Sequence, residues 1–281
     1  MVPGQPAWMT MTTRTYLDED MSGPEVVKLV GAEVCILSRR SPDKESENQD
    51  AAAIIEVGPQ SAVLVVADGM GGARGGASAS RIAIEELTRV LTTPSADSRR
   101  ESILCALDTA NQRVIDLGVG AGTTLAMAEV EATSFRPYHI GDAGLVLVGG
   151  QGKIKKLTLS HAPVAYAVES GLLDEAEAMH HDDRHLVTNN VGHADMRVEM
   201  GTPTSMRARD SLVLATDGLF DNLHIEEIAE IVRRGPIEAC VLELMTRCRE
   251  RQLKGDGDLP SKPDDTTIIV YRRSRTPVAA G

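Results

Sequence analysis

Two aspartates stand directly after apolar, strand-like runs of the sequence. Asp68 follows the run from Ala62 to Ala67, and Asp217 follows the run from Leu212 to Thr216. Short runs of small and β-branched apolar residues predict buried strands, each of which delivers a carboxylate to the edge of a sheet. Carboxylate oxygens suit a hard cation such as Mg²⁺ or Mn²⁺. A glycine follows each aspartate, and it lets the backbone carbonyl approach the same ion.

The composition is typical of globular proteins and strongly acidic. Of the 281 residues, 42% are hydrophobic, 25% are charged and 2% are aromatic, so we expect one large or two small domains with an aliphatic core. The net charge of -12 argues against nucleic acid as a partner, since such binding needs a basic face. No apolar run approaches the roughly 20 residues of a membrane span, so no membrane partner is expected.

The four cysteines bear on both compartment and chemistry. They lack a CxxC spacing, and a reducing, cytoplasmic setting is therefore expected. None lies in a phosphate-cradling loop of the kind that a thiol nucleophile requires.

The order of the predicted elements is typical of an α+β fold. It lacks the strict βαβ alternation of a parallel sheet and fits two antiparallel sheets packed face to face, with helix pairs outside. We expect residues 1–24 to form a disordered N-terminal tail, residues 25–273 one domain and residues 274–281 a C-terminal tail. The predicted elements are strands within 25–67, helices at 79–91 and 98–117, strands within 123–158 and at 210–216, helices at 225–233 and 237–253, and a strand at 266–271.

The polar segment from Ser160 to Gly201 interrupts the strand series. It holds five of the seven histidines and a predicted short helix around Leu173 to His180. An excursion of this length is typical of a binding loop, so we expect a mobile flap with few apolar anchors. The histidines show no ligand spacing within an ordered helix, which favours a solvated flap over a zinc site.

Six short motifs follow one another in a fixed order. Between about Val30 and Tyr271 they resemble the motif set of the metal-dependent Ser/Thr protein phosphatases of type 2C, in their bacterial form. The motifs are Asn48-Gln49-Asp50, Asp68-Gly69-Met70-Gly71-Gly72, Gly122-Thr123-Thr124, Gly141-Asp142, Asp217-Gly218-Leu219-Phe220-Asp221-Asn222 and Asp264-Asp265-Thr266-Thr267. The resemblance implies a four-layer α-β-β-α sandwich with a dinuclear Mn²⁺ or Mg²⁺ centre in the cleft between the sheets.

The resemblance also implies a set of metal ligands. Asp68 would bridge two ions, and the Gly69 carbonyl would bind one of them. Asp217 and Asp264 would hold the other ion. Asp142 would join Asp217 at a third, weaker site.

Three catalytic candidates lie beside this ligand set. Gln49 and Asp50 would orient water, and Gln49 stands where the family often has glutamate. The family's phosphate-binding arginine precedes this position by four residues, where the present chain has Glu45. The basic candidates for that role are Arg40 and, as alternatives, Arg39 and Lys44.

The implied function is hydrolysis of phosphoserine and phosphothreonine in proteins. A phosphorylated protein would be the substrate, and a cognate Ser/Thr kinase would act in the same signalling pathway. The alternative is a noncatalytic module that keeps the fold and recognises phosphorylated partners. Local alternatives remain as well, since a strand-end Asp-Gly pair alone is commonly a turn, and Asp221 and Asn222 are interpreted as helix N-caps.

Overall fold

Two antiparallel sheets form the centre of the structure, and helices cover the outer face of each. The computed structural model describes residues 11–71, 75–95, 97–174, 177–178, 181–254 and 259–274. Within them, strands β1 to β13 are, in order, Thr13–Leu17, Glu25–Leu29, Ala32–Arg39, Asp50–Gly58, Ser61–Met70, Gly122–Glu131, Ser134–Ile140, Gly144–Val148, Ile154–Leu157, Glu199–Met200, Thr204–Ser205, Ser211–Ala215 and Thr266–Arg273. Helices α1 to α6 are Gly75–Thr92, Arg99–Ile115, Pro163–Glu169, Asp217–Phe220, Ile225–Val232 and Ile237–Lys254, and a short 3-10 helix spans Asp182–His185.

The strand order brings distant parts of the chain together. The first sheet has the order β1-β4-β5-β6-β7-β10, and β11 also pairs with β7. The second sheet has the order β2-β3-β13-β12-β8-β9. The pairings within both sheets are antiparallel. The predicted α+β fold, an α-β-β-α sandwich, is confirmed.

Strand β5 is buried on both faces at the centre of the first sheet. Leu64 and Val66 pack in the core between the two sheets, whereas Val63 and Val65 pack under α1 and α2. Side chains alternate between the two faces of a strand, so a strand buried on both faces has a continuous apolar sequence. The strand is therefore a rigid support for Asp68 near its end.

The helix pair over the first sheet begins and ends close to the predicted positions. Ser98 caps α2, and its side chain and that of Glu101 form a reciprocal capping box, as the sequence pattern predicts. Helix α1 starts at Gly75, earlier than the predicted Ala79. None of the described helices is long and apolar enough to cross a membrane.

The N-terminal region contains a strand where a tail is expected. The expectation of disorder through residue 24 is wrong for Thr13–Leu17, which form β1 at the edge of the first sheet and pair with β4. Only Tyr16 of this strand is buried, so the segment has no apolar periodicity to reveal it. Residues 1–10 and 275–281 lie outside the described residues.

The segment expected to be a flap is anchored at both ends. His161 and Val191 are buried, and an isolated bridge joins Val191 to Thr123 of β6. The expectation of few apolar anchors is wrong there, because Val191 belongs to the core under α1 and α2. Leu172 is 79% exposed, so the middle of the segment does reach solvent. Half of the helix predicted at Leu173 to His180, namely residues 175, 176, 179 and 180, lies outside the described residues.

Candidate functional site

The ends of strands from both sheets bring the predicted acids to one edge of the sandwich. Asp68 lies near the end of β5, and Asp50 opposes it at the start of β4. Asp217 follows β12, Asp264 precedes β13, and Asp142 lies between β7 and β8. The carboxylates of the other four all act electrostatically on Asp68, which shows that the five acids form one cluster.

Burial makes this cluster electrostatically costly without a cation. Burial, followed by the Asp217 carboxylate, raises the pKa of Asp68 well above its usual range. Burial and the Asp265 carboxylate do the same to the pKa of Asp50. The pKa of Asp142 rises to about 8, chiefly through burial and then through Asp217. Positive charge among Asp50, Asp68 and Asp142 would favour their ionised forms and offset the effect of burial.

Three carboxylate oxygens of the cluster are left for a ligand to fill. Oδ1 of Asp50, Oδ1 of Asp142 and Oδ1 of Asp217 are buried and have no hydrogen-bond partner among the described residues. Buried polar atoms are normally satisfied, so three unpartnered oxygens within one group of electrostatically coupled acids indicate a bound species. An all-oxygen donor set of this kind fits Mg²⁺ or Mn²⁺ and does not fit a soft metal ion.

The Lys262 side chain places a positive charge at one side of the cluster. Its Nζ donates to Oδ2 of Asp217 and, at 2.7 Å, to Oδ2 of Asp221, and lies 3.6 Å from Oδ2 of Asp264. Burial alone would lower the pKa of Lys262, but the carboxylates of Asp217 and Asp221 raise it. The lysine therefore stays charged. The sequence motifs did not reveal it, because a lysine in a loop has no pattern of its own.

Asn222 holds the Lys262 backbone in place. Its Nδ2 donates to the carbonyls of Gly218 and Lys262, and its Oδ1 accepts from the Lys262 N–H, each at 2.9 Å. The N-cap interpretation of Asp221 and Asn222 is wrong, because His224 occupies the N-cap position of α5. Asp221 instead accepts a hydrogen bond from Lys262, and burial, followed by Asp217, raises the pKa of Asp221 to about 6.

The structure separates the three basic candidates. Lys44 Nζ donates to Oδ1 of Asp264 at 2.8 Å, so it lies within the cluster. Arg40 donates to the Glu45 carbonyl at 3.3 Å. Arg39 donates to the Met21 carbonyl at 2.6 Å and so points toward the N-terminal segment. Lys44 is thus the candidate that contacts a predicted metal ligand.

Asp265 anchors the loop that carries Lys44. Its carboxylate is almost fully buried and accepts hydrogen bonds from the backbone N–H groups of Ser41, at 2.7 Å, and Gln49, at 2.9 Å. These contacts tie the loop before β4 to the start of β13. Asp265 is therefore a structural support for the residues that flank Asp50.

Replacing Asp265 should loosen this loop. Asp265→Ala leaves two buried backbone donors without their partner, so we expect the free energy of unfolding to fall by about 3 kcal/mol. Urea denaturation of the metal-free chain measures it. Asp43→Ala, at an exposed position in the same loop, should change stability by less than about 0.5 kcal/mol. Equal stability of the two variants would show that the Asp265 contacts do not hold the loop.

The backbone at Gln49 and Gly69 packs closely. The Gly69 N–H donates to the Gln49 carbonyl at 3.2 Å, and the Ser80 hydroxyl donates to the same carbonyl at 2.6 Å. A Cβ on Gly69 would lie 2.2 Å from the Gly76 carbonyl oxygen. Gly69 is thus required by close packing against α1, which the sequence alone did not indicate.

A cavity of about 320 Å³ opens beside the acidic cluster. Asp142, Asp217 and Asp221 line one side, and α3 of the flap segment lines another. Arg184 also lines the cavity, and its side chain donates to the Ser261 carbonyl at 2.8 Å. A substrate that enters this cavity would therefore meet carboxylates, a guanidinium group and an apolar wall.

His161 connects the flap segment to the strand end that carries Asp142. Its Nδ1 accepts the Gly141 N–H at 3.0 Å, and its carbonyl accepts the Thr188 hydroxyl at 2.7 Å. With Nδ1 an acceptor, the proton of the neutral ring is on Nε2, which lies 3.1 Å from a Glu199 carboxylate oxygen. His139, His161 and Glu199 lie close together, but this tautomer donates at the atom that a metal would need. The interpretation of His161 as a solvated flap residue is wrong, since it is 5% exposed.

Comparisons with known proteins identify relatives of this chain. Residues 40–255 match the family model for protein phosphatase 2C. The chain is 33% identical over 199 residues to a 2C-type protein phosphatase of Streptococcus pyogenes, across 67% of this chain and 80% of the relative. It superposes on the S. agalactiae serine/threonine phosphatase with a TM-score of 0.75 and 25% identity, over 86% of this chain and 100% of that one. The catalytic domain of the protein phosphatase PstP, solved with two manganese ions, gives a TM-score of 0.68 and 23% identity, over 86% and 97% of the two chains.

Proposed function

Because this chain belongs to the protein phosphatase 2C family, we propose that its acidic cluster is the metal centre of a protein-serine/threonine phosphatase. The chain is an enzyme that removes phosphate from phosphoserine and phosphothreonine in proteins in a metal-dependent reaction. The observation that carries the assignment of the site is the electrostatic coupling of Asp68 to Asp50, Asp142, Asp217 and Asp264, together with the unpartnered buried oxygens that three of these acids retain. No contact of the described residues favours the noncatalytic alternative.

The proposed ligands are those that the motifs indicate. Asp68, the Gly69 carbonyl, Asp217 and Asp264 would hold the ions, with Asp68 serving both. When bound, two divalent cations would acidify water and offset negative charge on the phosphoryl oxygens. PstP, a protein of the same fold, is known with two manganese ions, which supports Mn²⁺ here, with Mg²⁺ as the alternative.

The residues of the chain orient the water and the phosphoryl group. Asp50 accepts a hydrogen bond from the Thr216 hydroxyl at 2.9 Å through Oδ2, which fixes the carboxylate and leaves Oδ1 for water. Gln49 lies next to it in the chain and can bond water without adding charge. We propose that Lys44 contacts the phosphoryl oxygens in preference to Arg40, because its ammonium group is already at Asp264.

A direct assay tests this function. Hydrolysis of p-nitrophenyl phosphate and of a phosphothreonine peptide should require added Mn²⁺ or Mg²⁺, stop with EDTA and return when metal is restored. Turnover that persists in the metal-free chain would contradict the assignment of the acidic cluster. Binding of the phosphopeptide without turnover at saturating metal would support the noncatalytic alternative.

Alkylation of the cysteines should leave turnover intact. Cys105 is exposed, whereas Cys35, Cys240 and Cys248 are buried. Burial raises the pKa of both Cys35 and Cys248 to about 12, so these thiols are poor nucleophiles. Iodoacetamide should therefore modify Cys105 while kcat/KM for p-nitrophenyl phosphate stays within about twofold. Loss of turnover in a chain that remains folded by circular dichroism would point to a thiol mechanism.

We further propose that the centre holds two ions, with Lys262 in the place of a third. Asp142 and Asp217 were expected to share a third ion, but the Lys262 ammonium group already bonds Oδ2 of Asp217 and Oδ2 of Asp221. A third cation would have to displace this buried charge. Lys262 also lowers the pKa of Asp142 against the effect of burial, as a cation in that position would.

Metal stoichiometry distinguishes the two arrangements. Equilibrium dialysis against Mn²⁺ should give two ions per chain, whereas Lys262→Met, which removes the charge but keeps most of the volume, should bind a third. Lys155→Met is the matched control, since this lysine pairs with Asp210 outside the acidic cluster. Three ions in the unmodified chain, or no added ion in Lys262→Met, would refute the role proposed for Lys262.

The biological setting follows from the activity and the composition. A Ser/Thr kinase must supply the phosphorylated substrate, and we propose that a cognate kinase acts in the same signalling pathway. Four cysteines without a paired spacing support a reducing, cytoplasmic location.

A further inference from the structure

A basic cavity lies at the opposite end of the second sheet from the acidic cluster. It has a volume of about 540 Å³, and Glu33 is the only acid among the described residues that line it. Small residues make up much of the remaining wall, including Gly150, Ala208 and Gly235. Its five arginines, which we call the arginine pocket, are Arg209, Arg233, Arg234, Arg272 and Arg273.

The arginine pocket and the metal ligands occupy opposite ends of the same strands. Arg272 and Arg273 end β13, whereas Asp264 precedes its first residue. Arg209 precedes β12, whereas Asp217 follows that strand. At about 3.3 Å per residue, the length of β13 separates the two sites by roughly 26 Å. One phosphoryl group therefore cannot contact both.

Two of these guanidinium groups are held in place without a carboxylate. Arg272 donates to the Ser211 hydroxyl at 2.9 Å and to the Val232 carbonyl at 2.8 Å. Arg273 donates to the Met206 carbonyl at 3.1 Å. These neutral acceptors fix the side chains but leave their positive charge uncompensated. The contact with Val232, at the end of α5, gives Arg272 a capping role as well.

The other three arginines add further charge. Arg233 forms a paired contact with the Glu230 carboxylate, and Arg234 lies 3.8 Å from the same group. Arg209 is exposed and makes no hydrogen bond or ion pair with the described part of the chain. Five guanidinium groups thus face two carboxylates, Glu33 and Glu230, in a chain whose net charge is -12. Helix capping does not account for this concentration of charge.

The lining selects one kind of ligand. Among the described residues that line it, none is aromatic and none is a large aliphatic residue, unlike most pockets for organic ligands. Guanidinium groups bind phosphate oxygens through paired, charge-assisted hydrogen bonds. A compact, multiply charged phosphate group matches this lining best.

We propose that the arginine pocket docks a second phosphorylated segment of the protein substrate while the metal centre acts on the first. The inference rests on the proposed function, since a phosphatase for proteins meets substrates that kinases have phosphorylated. The acidic surface of the chain repels such substrates at long range. A pocket of positive charge gives them one place to bind and favours substrates with several phosphates.

Kinetics with three substrates tests the proposal. Arg209→Glu/Arg234→Glu reverses two exposed charges and leaves the hydrogen-bonded Arg272 and Arg273 in place. At saturating Mn²⁺, KM for casein, a protein with several phosphoserines, should rise about tenfold with kcat unchanged. For a peptide with one phosphothreonine, and for p-nitrophenyl phosphate, kcat/KM should stay within about twofold.

A matched control separates docking from general electrostatics. Arg100→Glu/Arg247→Glu makes the same charge change at exposed positions outside the arginine pocket. It should leave KM for casein within about twofold. An unchanged KM in the pocket variant, or an equal rise in the control, would overturn the proposal.

A binding measurement separates failure of docking from failure of the proposed function. Fluorescence anisotropy of a labelled casein phosphopeptide is measured with the Asp68→Asn chain, in which turnover should be blocked. Adding the two pocket substitutions to this chain should weaken binding about tenfold, whether or not the wild-type chain hydrolyses any substrate. Unchanged affinity would refute the arginine pocket even if phosphatase activity is confirmed.

Discussion

Asp68→Asn should lower kcat/KM for p-nitrophenyl phosphate by at least about a thousandfold, a barrier increase of about 4 kcal/mol. Asp68 is the proposed bridge between the two ions, and an amide has nearly the same shape but brings no negative charge. Losing one ligand of a shared site weakens the binding of both ions, so extra Mn²⁺ should restore only a small part of the turnover.

The same substitution should not destabilise the metal-free chain. Burial, and then the Asp217 carboxylate, raises the pKa of Asp68, which means that ionising this group in the folded state is unfavourable. Asparagine removes that repulsion and resembles the neutral carboxyl group. We therefore expect the melting temperature without metal to be equal or higher, and the rise on adding Mn²⁺ to be smaller than in the wild-type chain.

Asp210→Asn should have the opposite effects, with lower stability and nearly unchanged activity. Asp210 is almost fully buried, bonds Lys155 Nζ at 2.6 Å and accepts the Arg207 N–H at 2.8 Å, all outside the acidic cluster. Its substitution should lower the melting temperature and leave kcat/KM within about threefold. If Asp68→Asn instead unfolds the chain, or keeps more than about a tenth of its activity, Asp68 is not the shared metal ligand.

The sequence predicted those parts of the site whose signals are local. A carboxylate at the end of an apolar run, as at Asp68 and Asp217, combines strand pattern and turn chemistry within a few residues. The pairing of Asp50 with Asp68 across β4 and β5 then follows from the hairpin that joins the strands. The sandwich was predictable for the same reason, since its central strands and capped helices each carry their own pattern.

The parts that were missed depend on contacts distant in sequence. Lys262 and Asp221 are 41 positions apart, and their ion pair follows from the packing of two loops that Asn222 ties together. Strand β1 is an edge strand with one buried side chain, Tyr16, so it lacks the alternation that marks central strands. His161 lies in a polar segment, and only the fold shows that its ring is buried against Gly141.

Gly69 shows how a correct residue can be predicted for an incomplete reason. The sequence argument was that glycine lets its own carbonyl approach a cation. In the structure, a Cβ at this position would also lie 2.2 Å from the Gly76 carbonyl oxygen and 2.7 Å from the Gln49 carbonyl oxygen. Both distances are far below ordinary contact, and both partners are backbone atoms that cannot rotate away.

Gly69→Ala should therefore damage stability and catalysis together. Making room for one methyl group requires α1 to move away from β5 and β5 to move away from the segment before β4, and overpacking of this kind costs about 1–3 kcal/mol. The movement of β5 displaces Asp68 relative to Asp50, and displacements near 1 Å at reacting groups can cost about a hundredfold in rate. We expect urea denaturation to show a loss of about 2 kcal/mol in the free energy of unfolding, and kcat/KM to fall about a hundredfold at saturating Mn²⁺.

Gly23→Ala is the control, since nothing lies within 4 Å of its added Cβ, and it should change neither quantity measurably. A Gly69→Ala chain with normal stability and turnover would show that α1 and β5 accommodate the added methyl group. Close packing would then not set the position of Asp68.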